Sequence, residues 1–213
     1  WWLVLGLGLT WLSILINGLA WRDLLVWLKH PPLGVAVVPL FVRSNLLKYL
    51  PGGIWHLVER VRVLRPVIGG GPALAGVILD PLLIAAASVL VVVAGGWQEG
   101  LALLAPWPAL MMIPRWREPL LRRLERSKAA QLQSVGSGPL ESEGSGRGGY
   151  PWRPLSLQLL FVLCRFAGFW CSVQAFGIQS PAPFTWLAAF GLAYAVGLVA
   201  VSYTHLRAHE TTD

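Results

Sequence analysis

Apolar residues run almost unbroken from 2 to 20, with Asn17 the one strongly polar position. About twenty such residues let an α-helix cross a hydrocarbon core roughly 30 Å thick, so the pattern predicts a spanning helix there. Residues 21–32 carry Arg22, Asp23, Lys29 and His30 and close on Pro31-Pro32, which predicts an interfacial connection. From 33 the purely apolar part ends at Val42, and Arg43, Asn45 and Lys48 follow at once, so 33–50 reads as a re-entrant segment. After Pro51-Gly52-Gly53, residues 54–65 place Ile54, Leu57, Val58, Val61 and Leu64 at helical spacing opposite Glu59, Arg60, Arg62 and Arg65. That alternation predicts an amphipathic helix lying on the membrane surface.

Gly69-Gly70-Gly71-Pro72 then separates this helix from 73–95, an apolar run interrupted by Asp80-Pro81 and so expected to span with a kink. Trp97–Gly100 links it to a short run at 101–113, roughly 20 Å of helix, which needs local bilayer thinning or flanking Trp116 to span. Two further spans are predicted at 155–178 and 183–200, joined by a tight turn at Gln179–Pro181. Between the two halves, 115–128 holds six Lys/Arg against two Glu, and 129–149 is rich in Gly and Ser. This reads as a basic surface helix and a flexible linker within 114–154, and the positive-inside rule makes both cytoplasmic. The 54–65 helix follows to the same face, since 73–95 and 101–113 form a hairpin. The fold class is therefore all-α, a polytopic integral membrane helical bundle with a re-entrant segment and an interfacial helix.

Composition agrees: 55% of residues are apolar, 13% are charged and mean hydropathy is +0.61. The net charge of +7 then has to sit in a few water-facing segments, which favours anionic lipid headgroups as partners over nucleic acid. The twelve tryptophans lie in or beside apolar runs and read as interfacial anchors rather than base-stacking platforms. Cys164 and Cys171, seven apart in one apolar run, share a helix face and are expected to be free, buried thiols. No metal or other cofactor is expected, and the oligomeric state is open.

Two groups of residues carry candidate chemistry. Asp80 and Arg165 are ionisable side chains at membrane depth, where charge is costly and therefore a functional signal. Counted from the cytoplasmic helix ends, they lie at depths of roughly 12 and 15 Å and could pair, either fixing helix register or handling a polar substrate. The second group runs from Arg43 through Asn45, Lys48, Tyr49, Pro51, Gly52, Gly53, Trp55, His56 and Glu59 to Arg60. Arg43, Lys48 and Arg60 suit a lipid phosphate, Gly52-Gly53 let backbone amides approach it, and Tyr49 and Trp55 sit at headgroup level. Three function classes compete: a lipid-binding or lipid-moving protein, a headgroup-modifying enzyme needing Asp80, Glu59 and His56 in one cavity, and a membrane scaffold. No His, Cys or carboxylate pair nearby supports nucleophilic or metal chemistry.

The run Asn45-Leu-Leu-Lys-Tyr-Leu-Pro-Gly-Gly-Ile-Trp-His-Leu-Val-Glu-Arg60 resembles the Lys-Tyr-(Ile/Leu)-Pro-Gly signature of the lysylphosphatidylglycerol synthase transmembrane-region, or flippase-like, family. Gly168-Phe-Trp-Cys171 and Asp80 look like a cyanobacterial branch of it. The resemblance implies an integral protein of the bacterial plasma (inner) membrane that handles anionic or aminoacylated phospholipid, with Lys48, Tyr49, Pro51, Gly52 and Arg60 as motif positions. The family's later glycine-rich signature would fall just past Ala200, and its soluble synthase domain is not seen in this sequence. Residues 1–200 thus read as a fragment of one transmembrane domain, opening on Trp1-Trp2 rather than methionine. Residues 201–213 turn abruptly polar, and the first eleven resemble an in-frame translation of a transposon-type sequencing adapter. His205, His209 and Glu210 are accordingly set aside as metal ligands despite their helical spacing.

Overall fold

The computed structural model describes residues 1–50, 54–97, 100, 149–178 and 182–207, the last nine of these as backbone only. Every regular element among them is a helix: α1 (Trp2–Trp27), α2 (Val37–Leu46), a 3-10 turn (Leu47–Tyr49), α3 (Trp55–Ile68), α4 (Gly70–Gly95), α5 (Trp152–Ala175) and α6 (Pro183–Arg207). Three of them, α1, α4 and α5, are long and apolar enough to cross a membrane. In α6 the apolar part that qualifies is shorter, Pro183–Leu198, and the helix runs on through residues 201–207. The expected span at 101–113, the basic segment, the linker up to residue 148 and the 179–181 turn lie outside the described residues.

The membrane shows in which residues face outward. Leu3, Val4, Leu7, Trp11 and Leu12 of α1 are exposed, whereas Ser13 and Asn17 are buried. In water this arrangement would be inverted; in lipid it gives apolar side chains an apolar solvent and polar ones protein partners.

Helix α1 is longer than its apolar run. Trp21, Leu24, Leu25 and Leu28 continue a buried stripe at helical spacing past residue 20, so the segment expected to be a connection is helix as far as Trp27. It ends in a Schellman arrangement: the Lys29 amide donates to Val26 O (2.9 Å) and the His30 amide to Leu25 O (3.1 Å), with Lys29 at φ 63. Pro31-Pro32 follow the stop rather than causing it. Helix α2 has ten residues, about 15 Å, and does not cross a bilayer, in keeping with a re-entrant or interfacial segment.

The separator at Gly69–Pro72 shrinks to one residue. Gly69 closes α3 at φ 88, a conformation that L side chains avoid, and α4 begins at Gly70 with Pro72 in its first turn, where no amide is needed. Pro66 and Pro81 both lie inside helices that continue through them.

The described residues fall into two compact units. One holds α1 as far as Asn17, α4 from Leu83, α5 from Leu155, and α6. There α1 and α5 run antiparallel at close range, because a Cβ on Gly168 would meet Thr10 Oγ1 at 2.8 Å and Gly6 O at 3.1 Å. Aromatic rings of α5 and α6 interleave, with Phe169 and Phe190 stacked at 5.4 Å. The other unit holds residues 18–82 with 149–154 and contains the remainder of α1, α2, the 3-10 turn, α3 and the first half of α4.

Candidate functional site

Within the second unit, α2, the 3-10 turn and α3 form a corner, and a single arginine fixes it from inside. Arg60 is 2% exposed, and its neighbours on α3's buried side are Val61, Leu64 and Ile68. Residues 60, 64 and 68 recur every four positions, so Arg60 stands in the apolar stripe and not, as its charge suggests, on the polar face with Arg62 and Arg65. Its donors are matched one by one. Nε donates to Ser44 Oγ (2.9 Å), Nη2 to Asn45 Oδ1 (3.1 Å) and Nη1 to Asp80 Oδ2 (3.5 Å). Ser44 passes the chain on by donating to Phe41 O at 2.9 Å. The guanidinium carbon lies 3.9 Å from the Phe41 ring centroid and 5.0 Å from that of Trp21, so two aromatic faces cover the cation.

Burial pulls the Arg60 guanidinium down to about 10, while the charge and hydrogen bond of Asp80 pull it upward. It is therefore a cation at neutral pH, and Asp80, 4% exposed, supplies the counter-charge. Asp80 is thus paired with Arg60, in place of the pairing with Arg165 that the depths allow. Matching depths compares only residues in spanning helices, whereas the partner of Asp80 comes from a helix that does not span. Arg60 is likewise withdrawn from the set facing a lipid phosphate, since its donors point into the protein.

The outside of the same corner is cationic and aromatic. Arg43 is exposed in the last turn of α2, where a cation complements the helix dipole. Lys48 and Tyr49 lie on the 3-10 turn, Lys48 exposed and Tyr49 at 88%, and Trp55 opens α3 at 42%. Pro51, Gly52 and Gly53 lie outside the described residues. Glu59 pairs with Arg62 at 3.0 Å, so Glu59 and Asp80 serve separate ion pairs instead of converging.

Sequence reasoning misses Trp21 and Phe41 as parts of this site, and sees in Asn45 only a member of the surface group. Trp21 falls in a stretch read as a connection, and a helical reading through residue 27 would have placed it inside. In the first unit, Asn17 and Gln158 make a second buried polar contact, Gln158 Nε2 donating to Asn17 Oδ1 at 3.1 Å. Cys164 and Cys171 are free and buried, as their spacing indicates, and Cys164 Sγ donates to Leu9 O at 3.3 Å. Among the described residues no group of three His, Cys, Asp or Glu is placed to hold a metal ion. No protein-family model, curated protein or solved structure matches the chain.

Proposed function

We propose that this is a lipid-handling protein of the bacterial plasma membrane that binds anionic phospholipid headgroups at the α2–α3 corner and moves them between leaflets. The observation that carries the reading is the two-sided build of that corner. Arg60 locks it from within, and Arg43, Lys48, Tyr49 and Trp55 lie on its outer side, on elements too short to span. A cationic edge bordered by aromatic rings suits a phosphate at the headgroup level. The resemblance of 45–60 to the flippase-like family points to the same chemistry and adds aminoacylated phosphatidylglycerol to the candidate lipids.

The test is binding of phosphatidylglycerol to the full chain in nanodiscs of otherwise zwitterionic lipid. Arg43→Ala and Lys48→Ala are expected to weaken binding about tenfold each, the cost of losing one charge-assisted contact. Arg62→Ala, which removes an exposed cation from the same region, is the control and is expected to change binding by less than about threefold. Equal losses at all three positions would replace a specific site with a diffuse basic surface.

A further inference from the structure

We propose that Arg165 marks a second, mid-membrane binding position for a phosphate-bearing headgroup, on a polar seam between α1 and α5. The inference rests on the lipid-handling reading and extends it from the interface into the bilayer.

Gln158, Arg165 and Ser172 recur every seven residues and so lie along one line of α5. Facing it, α1 carries Thr10, Ser13 and Asn17 at spacings of three and four. Three contacts fix the alignment: Gln158 to Asn17, Cys164 to the Leu9 carbonyl, and Gly168 against Thr10. The line from 158 to 172 rises roughly 21 Å, most of the hydrocarbon thickness. Arg165 stands near its middle, 13 residues after Trp152 and 10 before Ala175.

The other two members of the α5 line each make a hydrogen bond within the protein. Gln158 is fully buried and bonded to Asn17, and Ser172 Oγ donates to Gly168 O at 3.3 Å. Among the described residues, nothing hydrogen-bonds or ion-pairs with Arg165, which is half-buried. Nor is a carboxylate on hand, for the described residues of this unit include no Asp or Glu. A guanidinium left unneutralised at the centre of a bilayer is costly. Its anion must therefore come from outside these residues. A lipid phosphate is the anion the membrane itself supplies in quantity. The guanidinium fork suits phosphate oxygens.

The experiment titrates the purified full chain in neutral detergent with phosphatidylglycerol, counting bound lipids by native mass spectrometry. It compares wild type with Arg165→Gln, Arg165→Lys and Lys48→Ala. Loss of one bound lipid in Arg165→Gln, with affinity at that site lowered about tenfold or more, is the expected result. Arg165→Lys keeps the charge but not the fork, so intermediate affinity is expected and keeps the test alive if the glutamine variant does not fold. Lys48→Ala should lose a different lipid. An Arg165→Gln titration identical to wild type, with Lys48→Ala still impaired, would overturn the mid-membrane site alone and assign the counter-anion to a carboxylate of the protein. Wild-type behaviour of Lys48→Ala with loss at Arg165 would instead overturn the corner reading alone. A parallel titration with sn-glycerol 3-phosphate separates the sources of phosphate: competition by phosphatidylglycerol only supports a lipid headgroup, and displacement by the soluble phosphate at equal concentration overturns it.

Discussion

Arg60 is a charged residue on the buried side of α3. Its charge puts it with Arg62 and Arg65, but its position, four before Leu64 and eight before Ile68, puts it on the buried stripe. Desolvating it is tolerable because each side of the guanidinium meets a matched group: a carboxylate, a hydroxyl, an amide oxygen and two aromatic faces. The consequence is an asymmetry between single and joint replacement. Arg60→Ala strands a buried Asp80 without its guanidinium and is expected to cost about 3–5 kcal/mol, read as a lowered midpoint of thermal unfolding in detergent. Arg60→Met combined with Asp80→Leu removes both charges and should recover most of that loss, since an apolar pair of similar volume is often close to neutral. An Arg60→Ala protein unfolding at the wild-type temperature would show that the clasp contributes nothing to stability. Asp80 itself is legible from sequence as a costly intramembrane charge; its partner is not, because pairing depends on tertiary packing that periodicity does not encode.

At the scale of elements, the sequence declares where helices lie better than where they stop. Helix α5 ends with the same hydrogen-bond pattern as α1, the Gly177 amide donating to Gln174 O (3.1 Å) and the Ile178 amide to Val173 O (3.3 Å). There the left-handed residue is Gly177 at φ 62, a residue that announces a stop; at the end of α1 it is Lys29, which does not. Arg22-Asp23 mimic a membrane boundary in the sequence, and the true stop further on carries no such mark. The two caps make opposite predictions. Lys29→Gly removes the Cβ strain of a left-handed residue and should raise stability by about 1 kcal/mol, and Gly177→Ala introduces that strain and should lower it by a similar amount. Chemical denaturation of the two variants in a helix-preserving detergent checks both signs. A loss in Lys29→Gly would mean that the lysine side chain contributes more at that site than its backbone strain costs.

For the whole molecule, the apolar run lengths carry the architecture. The runs at 2–20, 73–95 and 155–178 correspond to α1, α4 and α5, the three helices among the described residues that are long and apolar enough to span. Their packing is out of reach of the sequence, since neither the Gly6–Gly168 approach nor the Asn17–Gln158 contact leaves a local signature. The helices and the distribution of charge together imply a sidedness. Helices α1 and α4 are each long and apolar enough to cross, and α2 and α3 between them are too short or too polar to do so. Lys29 and Lys48 should therefore share one face of the membrane, the cytoplasmic one by the positive-inside rule, and Trp97 should lie on the other. The decisive measurement is labelling of single cysteines by a membrane-impermeant maleimide in intact cells of an expression host and in inverted vesicles, using Lys29→Cys, Lys48→Cys and Trp97→Cys on a Cys164→Ala, Cys171→Ala background. The predicted result is that Trp97→Cys reacts in intact cells, and that Lys29→Cys and Lys48→Cys react only in inverted vesicles. Labelling of Lys29→Cys and Trp97→Cys from the same side would contradict it.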